Sequence, residues 1–226
     1  MPLSKVVPLT ENTKLYLWKI TEDLDVLFNQ VTLKDASLAR LQEMKSQSHQ
    51  KGFLAVRMLL QEIELTDHNL FYDEFGKPHL DIAFGSKPFD GNHQHISISH
   101  SHGFSAIAIS DSKVGLDLEQ LKEKTLLIAQ RFMDVSHLEG LSYEEKIKKA
   151  TVIWGIKESI FKIKNEKGIS FPKHIFEDHF DLDDKIATAT LKFNHKEEKF
   201  KIQFDSVEDY IFVCAFEENN NLNKFL

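Results

Sequence analysis

Apolar and polar residues alternate through "KLYLWKI" (residues 14–20), the two-residue period of a strand with one buried face. After Asp35 the period changes. Leu38, Leu41, Met44, Phe53, Val56, Leu59, Leu60 and Ile63 follow at mixed spacings of three and four, which predicts helix over 35–63. "DEFGKPHL" (73–80) carries the Gly and Pro of a turn, and "GSKPFDGN" (85–92) predicts a loop by the same test. Three short runs come next, "HISISHS", "FSAIAIS" and "KVGLDLE", split by "HG" and "SDSK". They predict a three-stranded antiparallel meander.

The second half repeats this order. "SYEEKIKKATVIWGIKESIFKIK" (142–164) predicts one long helix with Ile147, Ile153, Trp154, Ile160 and Phe161 as its apolar positions, and Lys167-Gly168 breaks it. "ATATLKFNH", "KFKIQFD" and "DYIFVCAFE" predict a second meander, and "ENNNLN" a frayed tail. "FLAVRMLLQEI" from Phe53 and "IWGIKESIFKI" from Ile153 align on a basic residue (Arg57, Lys157) and a terminal Ile (Ile63, Ile163). Helix then meander, twice, predicts an α+β protein of two similar halves, residues 1–119 and 120–226, related by a pseudo-twofold duplication. Each half is a helix packed on a small antiparallel sheet. The halves form one compact unit, with a functional site expected in the cleft between them.

Bulk composition narrows the function. Over 226 residues, 42% are hydrophobic, enough for a sizeable core, and the net charge of −7 argues against a general nucleic-acid binder. The single cysteine, Cys214, sits in an alternating apolar stretch and reads as a buried core thiol; one Cys makes no internal disulfide, which suits a reducing compartment. The first residues show no signal-peptide pattern, and no run approaches the roughly 20 apolar residues of a spanning helix. A cytoplasmic location is expected.

The chemistry begins in "VGLDLE". Residues two apart in a strand share a face, so Asp117 and Glu119 present paired carboxylates while Leu116 and Leu118 point the other way. Such a pair repels unless water or a cation lies between. A solvated strand edge and a divalent-metal site both satisfy that. In "WGIKESIFK", Glu158 and Lys162 are four apart on one helical face, amid Ile153, Trp154, Ile156, Ile160 and Phe161 that would keep Glu158 near the core. In "SISHSHG", Ser99 and His100 end a strand, where hydroxyl and backbone donors can meet phosphate oxygens. His93, His95, His100 and His102 raise the question of zinc, but His95 and His102 exceed ligand spacing and no second cysteine supplies a thiolate.

Taken in order, "SISHS", "GLDLE" and, about 35 residues later, "WGIKESIFK" closely resemble the motifs of the 4′-phosphopantetheinyl transferases of the Sfp (surfactin-synthetase-activating) type. "DEFGKPHL" is similar to that family's Gly-Lys-Pro turn, "FLAVRMLL" to its Arg-bearing helix and "EKGISFP" to the Lys-Gly segment after its third motif. The likeness runs from about Phe53 to Pro172.

The resemblance implies a transferase of the holo-acyl-carrier-protein synthase type. It would move the phosphopantetheine arm of coenzyme A to a serine of an apo acyl or peptidyl carrier protein, releasing adenosine 3′,5′-bisphosphate. It further implies that Asp117, Glu119 and Glu158 hold Mg²⁺, that Lys162 contacts the diphosphate, and that Lys77, Ser99 and His100 bind the phosphates of coenzyme A, with Arg57 near the nucleotide. Glu158 or a metal-held water is the candidate base, Lys162 offsets phosphate charge, and His100 donates a hydrogen bond to phosphate. Mg²⁺, Lys77, Lys162 and Arg57 would together make a local positive cleft in an acidic chain. Ser97 stands where relatives commonly have Asn, and Gly52 and Gln61 where they often have Arg, which alters the nucleotide contacts. Because one duplicated chain supplies both halves, a monomer is expected. The rival readings are a metal-dependent diphosphate hydrolase and a catalytically lapsed module that binds coenzyme A or a carrier protein.

Overall fold

The computed structural model describes residues 3–81 and 94–218; "GSKPFDGN", His93 and the Asn-rich tail after Glu218 lie outside the described residues. The chain divides into two compact units, Met1–Ser112 and Lys113–Leu226. Each sets one long helix on an antiparallel sheet, the α+β class.

In the first unit, β1 (Leu3–Thr10), β2 (Thr13–Lys19), α1 (Leu24–Gln30), α2 (Asp35–Glu43) and α3 (Gln47–Glu62) precede a small hairpin, β3 (Leu70–Tyr72) and β4 (Pro78–Leu80). Then come β5 (His95–Ser101) and β6 (Phe104–Ser110), and the main sheet runs β1-β2-β6-β5. The α3 face bearing Val56, Leu59, Leu60 and Ile63 buries against Trp18, Ile96, Ile107 and Ile109. The single helix expected over 35–63 is two helices. Between Met44 and Phe53 the sequence offers no large apolar side chain, so no stripe pins that segment to the sheet. The backbone turns extended at Met44 and Ser46, and the Gln50 side chain donates to the carbonyls of Leu41 and Met44. Those bonds satisfy the end of α2.

In the second unit, β7 (Val114–Gln120), α4 (Glu123–Leu127), α5 (Tyr143–Lys164), α6 (Phe171–His174), β8 (Ile175–Glu177), β9 (Ile186–Phe193), β10 (Lys196–Val207) and β11 (Tyr210–Glu217) follow one another. The sheet runs β7-β11-β10-β9-β8 with every neighbour antiparallel. The expected second meander is β9-β10-β11. The first meander needs correction: "HISISHS" and "FSAIAIS" pair as a hairpin, whereas "VGLDLE" pairs with β11, Asp117 opposite Val213. Periodicity marks each run as a strand but carries no information about which partner it finds. Helix α5 starts at a capping box, where Ser142 and Glu145 satisfy each other's backbone N–H, and stops at Asn165 in the left-handed conformation.

Candidate active site

Two glycines fix how α5 meets β7. A Cβ at Gly115 would fall 1.9 Å from the backbone oxygen of Ser159, and one at Gly155 would fall 2.5 Å from Val213 Cγ2. Without side chains there, helix and strand approach at backbone distance, and Ser159 Oγ donates to the Val213 carbonyl at 2.9 Å. The same approach lays one stripe of α5 over β7. That stripe is Trp154, Glu158 and Lys162, one residue every four.

Asp117 faces this stripe and is 4% exposed, so "VGLDLE" is not a wet strand edge. Leu116 and Leu118, on its other side, are buried too. Lys162 Nζ donates to Asp117 Oδ1 at 2.9 Å and to the Leu116 carbonyl at 2.7 Å. The basic end of the stripe therefore bridges to the strand. Glu119 and Glu158 are half-buried beside them. Burial, and then the neighbouring Asp117 carboxylate, push the Glu119 carboxyl up to about 7. The same two causes raise Glu158 above the usual carboxylate range.

Three carboxylates thus share one field with a single ammonium, and burial beside the Asp117 charge makes both glutamates harder to ionise. The donor set is all oxygen, the chemistry of a hard cation such as Mg²⁺, and a divalent charge would relieve the repulsion. Among the described residues, no three His, Cys, Asp or Glu side chains are drawn in to ligating distance. The site offers the charge and donors of a metal centre with its carboxylates standing apart.

The residues singled out in the first unit lie in three settings. Arg57 is inside the core, 2% exposed. Its Nε donates to Asp67 Oδ1 at 2.9 Å, one Nη to the Phe53 carbonyl and the other to Ser37 Oγ, with the guanidinium over the Phe53 ring. Its charge is answered within the fold. Lys77 lies in the β3–β4 turn, where its backbone N–H donates to Asp73 Oδ1 and Gly76 takes a φ of +80°, a conformation glycine adopts freely. Ser99 is buried on β5, and His100 next to it is exposed. The His100 ring rests on Gly52, where a Cβ would come within 3.0 Å of ring carbon Cδ2. Gly52 therefore makes room for an imidazole. Ser97 is buried on β5 as well, and Gln61 donates to the Gln30 carbonyl at the surface.

Sequence reasoning named Trp154 as an apolar position of the helix, and it packs against the second unit's core. It missed Gly115 and Gly155, which gave no signal, because close approach is a property of the packed pair of elements.

No family model matches the chain. Among characterised proteins it is 28% identical over 192 residues to the 4′-phosphopantetheinyl transferase gsp of Aneurinibacillus migulanus, covering 82% of this chain and 70% of that protein. It is 30% identical over 146 residues to a 4′-phosphopantetheinyl transferase of Bacillus subtilis, covering 63% of this chain and 60% of the relative. It is also 26% identical over 129 residues to 4′-phosphopantetheinyl transferase Sfp of Bacillus subtilis (strain 168), of which it spans 54%. In its sequence the chain is thus similar to several 4′-phosphopantetheinyl transferases, Sfp among them, and its acidic and basic candidate site residues are gathered on one strand and one helix.

Proposed function

We propose that the protein transfers the 4′-phosphopantetheine arm of coenzyme A to a serine of an apo acyl or peptidyl carrier protein, releasing adenosine 3′,5′-bisphosphate. It does so with Mg²⁺, as a monomer, in the cytoplasm. The observation that carries this reading is the face made by Asp117, Glu119, Glu158 and Lys162, with two glutamates pushed above their ordinary pKa. The relatives' activity supports the reaction class. Among the described residues, no helix is long and apolar enough to cross a membrane.

Asp117, Glu119 and Glu158 would hold the metal. Bound there, Mg²⁺ supplies neutralisation of the diphosphate charge. The serine oxygen forms its new bond to phosphorus as the bond to the nucleotide's bridging oxygen breaks. Glu158 takes the serine proton, and its raised pKa brings it closer to the operating pH at which a base works best. Lys162, held by Asp117 and the Leu116 carbonyl, offsets charge on the phosphate under attack. Lys77, Ser99 and His100 serve the phosphates of coenzyme A. Arg57 acts one step back, by fixing α3, whose Gly52 seats the His100 ring. The same reading includes an internal duplication. Arg57 and Lys157, the aligned basic residues of α3 and α5, each end in a buried ion pair, with Asp67 and with Glu177.

Intact-mass spectrometry of an apo acyl carrier protein, incubated with the protein, coenzyme A and Mg²⁺, tests the proposal. A mass gain of one phosphopantetheine arm is expected, abolished by EDTA and by Asp117→Asn or Glu158→Gln in folded protein. Transfer that persists in either variant would remove that residue from the site. Phosphate release from a nucleotide without any gain on carriers would favour a hydrolase instead. Light scattering reads the monomer.

A further inference from the structure

We infer that Asp73 is a positioning residue for coenzyme A binding, acting through Lys77: its carboxylate fixes the β3–β4 turn that carries the lysine. The inference rests on the reading, proposed above, that Lys77 binds a phosphate of coenzyme A. Asp73 Oδ1 accepts from the backbone N–H of Phe75 and from that of Lys77, each at 2.9 Å. Its Oδ2 lies 2.9 Å from His79 Nε2. The backbone closes the same loop, with the Asp73 N–H donating to the Lys77 carbonyl at 3.0 Å and the Gly76 N–H to the Asp73 carbonyl at 2.9 Å. The His79 ring is itself stacked on Phe71, its partner across the hairpin, at 5.3 Å and 19° between planes.

A carboxylate four positions before a phosphate-binding lysine would ordinarily repel the ligand. Here its charge is taken up within the turn. A carboxylate has two oxygens and about four lone-pair sites, so it can serve three donors at once. It only accepts, so His79 Nε2 carries the proton of their shared bond. The His79 bond first, and the Lys77 N–H next, hold the Asp73 carboxyl below the usual carboxylate range. Lys77 is constrained from both sides. Asp73 binds its N–H, and Pro78 after it disfavours helical backbone at the lysine. Strands of three residues each give the hairpin little pairing of its own, so these side-chain bonds set the shape of the turn.

Calorimetric titration with coenzyme A, run as a double-mutant cycle, tests the inference. Asp73→Ala and Lys77→Ala should each bind coenzyme A at least about fivefold more weakly, the scale of one hydrogen bond. The double variant should bind no more weakly than Lys77→Ala, because the two residues act as one unit. Asp73→Asn should bind like wild type, since its amide oxygen still accepts both backbone N–H groups. Wild-type affinity in Asp73→Ala, beside a weakened Lys77→Ala, overturns the inference and leaves the lysine's role standing. Losses that simply add in the double variant overturn it as well. If Lys77→Ala alone binds normally, the reading of Lys77 fails and the inference with it. If the wild-type protein binds no coenzyme A, the proposed function itself falls. Should Asp73→Ala not fold, Asp73→Asn decides: weak binding by that folded variant would show that charge, not the bonds to the turn, is what matters.

Discussion

Arg57 shows why a charged residue is hard to read from a sequence. A basic side chain in an apolar helix either lines a ligand or is paired in the core, and both leave the same trace. Here its partner, Asp67, sits beyond the end of α3, at a distance no helical rule connects. Removing one member of such a pair strands a buried charge, so Arg57→Ala should cost about 3–5 kcal/mol, read by chemical denaturation. Loss of coenzyme A affinity at unchanged stability would return Arg57 to the nucleotide. Glu119 makes a different prediction. Its ordinary value of 4.5 rises to about 7 in the folded protein. A raised carboxyl favours the fold fully below the unfolded value, and that contribution is lost as pH rises through the folded one. Metal-free protein should therefore lose stability between about pH 4.5 and 7 on account of Glu119. Mg²⁺ competes with that proton, so the rise in melting temperature on adding Mg²⁺ should be larger at pH 8 than at pH 6. An equal rise at both would show that the metal does not displace it.

At the scale of elements, the site is a consequence of one close contact. The Gly115 and Gly155 surfaces let α5 lie against β7 and β11, and this brings Glu158 and Lys162 over Asp117. Gly115→Ala would place a methyl group 1.9 Å from the Ser159 backbone oxygen, and a backbone atom cannot rotate away as a side chain can. The helix must lift. Overpacking of this kind costs about 1–3 kcal/mol or more. The expected outcome is a lower melting temperature together with weaker Mg²⁺ binding, since both depend on the same spacing. A stable Gly115→Ala with wild-type transfer would show that the strand–helix approach is not what builds the site. The other elements were legible unequally. Helix α5 was clear because its apolar positions, N-cap Ser142 and terminal basic residues agree. Strand β1 was not, because it is an outer strand with mostly exposed residues and a Pro8 among them. Helix α1 was missed for a similar reason: Leu27 is its one fully buried residue.

At the scale of the whole molecule, 35 acidic and 28 basic residues give the net charge of −7, yet the charges that matter are few. Among the described residues, buried cations find partners within the fold, Arg57 in Asp67, Lys157 in Glu177 and Lys149 in the Phe180 carbonyl, while Lys162 lies half-buried at the candidate site. The anionic substrates of the proposed reaction would therefore meet local charge rather than a basic surface. The sequence by itself determined the α+β class, the α5 helix and the hairpin meander of β9 to β11, and it carried the likeness to the 4′-phosphopantetheinyl transferases, because period, caps and motif order are local properties carried along the chain. It also marked Asp117, Glu119, Glu158 and Lys162 as a set. Tertiary structure alone decided that "VGLDLE" joins β11 rather than β6, that Lys162 reaches Asp117 and that Arg57 is internal. Each of these depends on two segments far apart in sequence meeting at a few ångströms, and on which side chains burial then forces to find a partner.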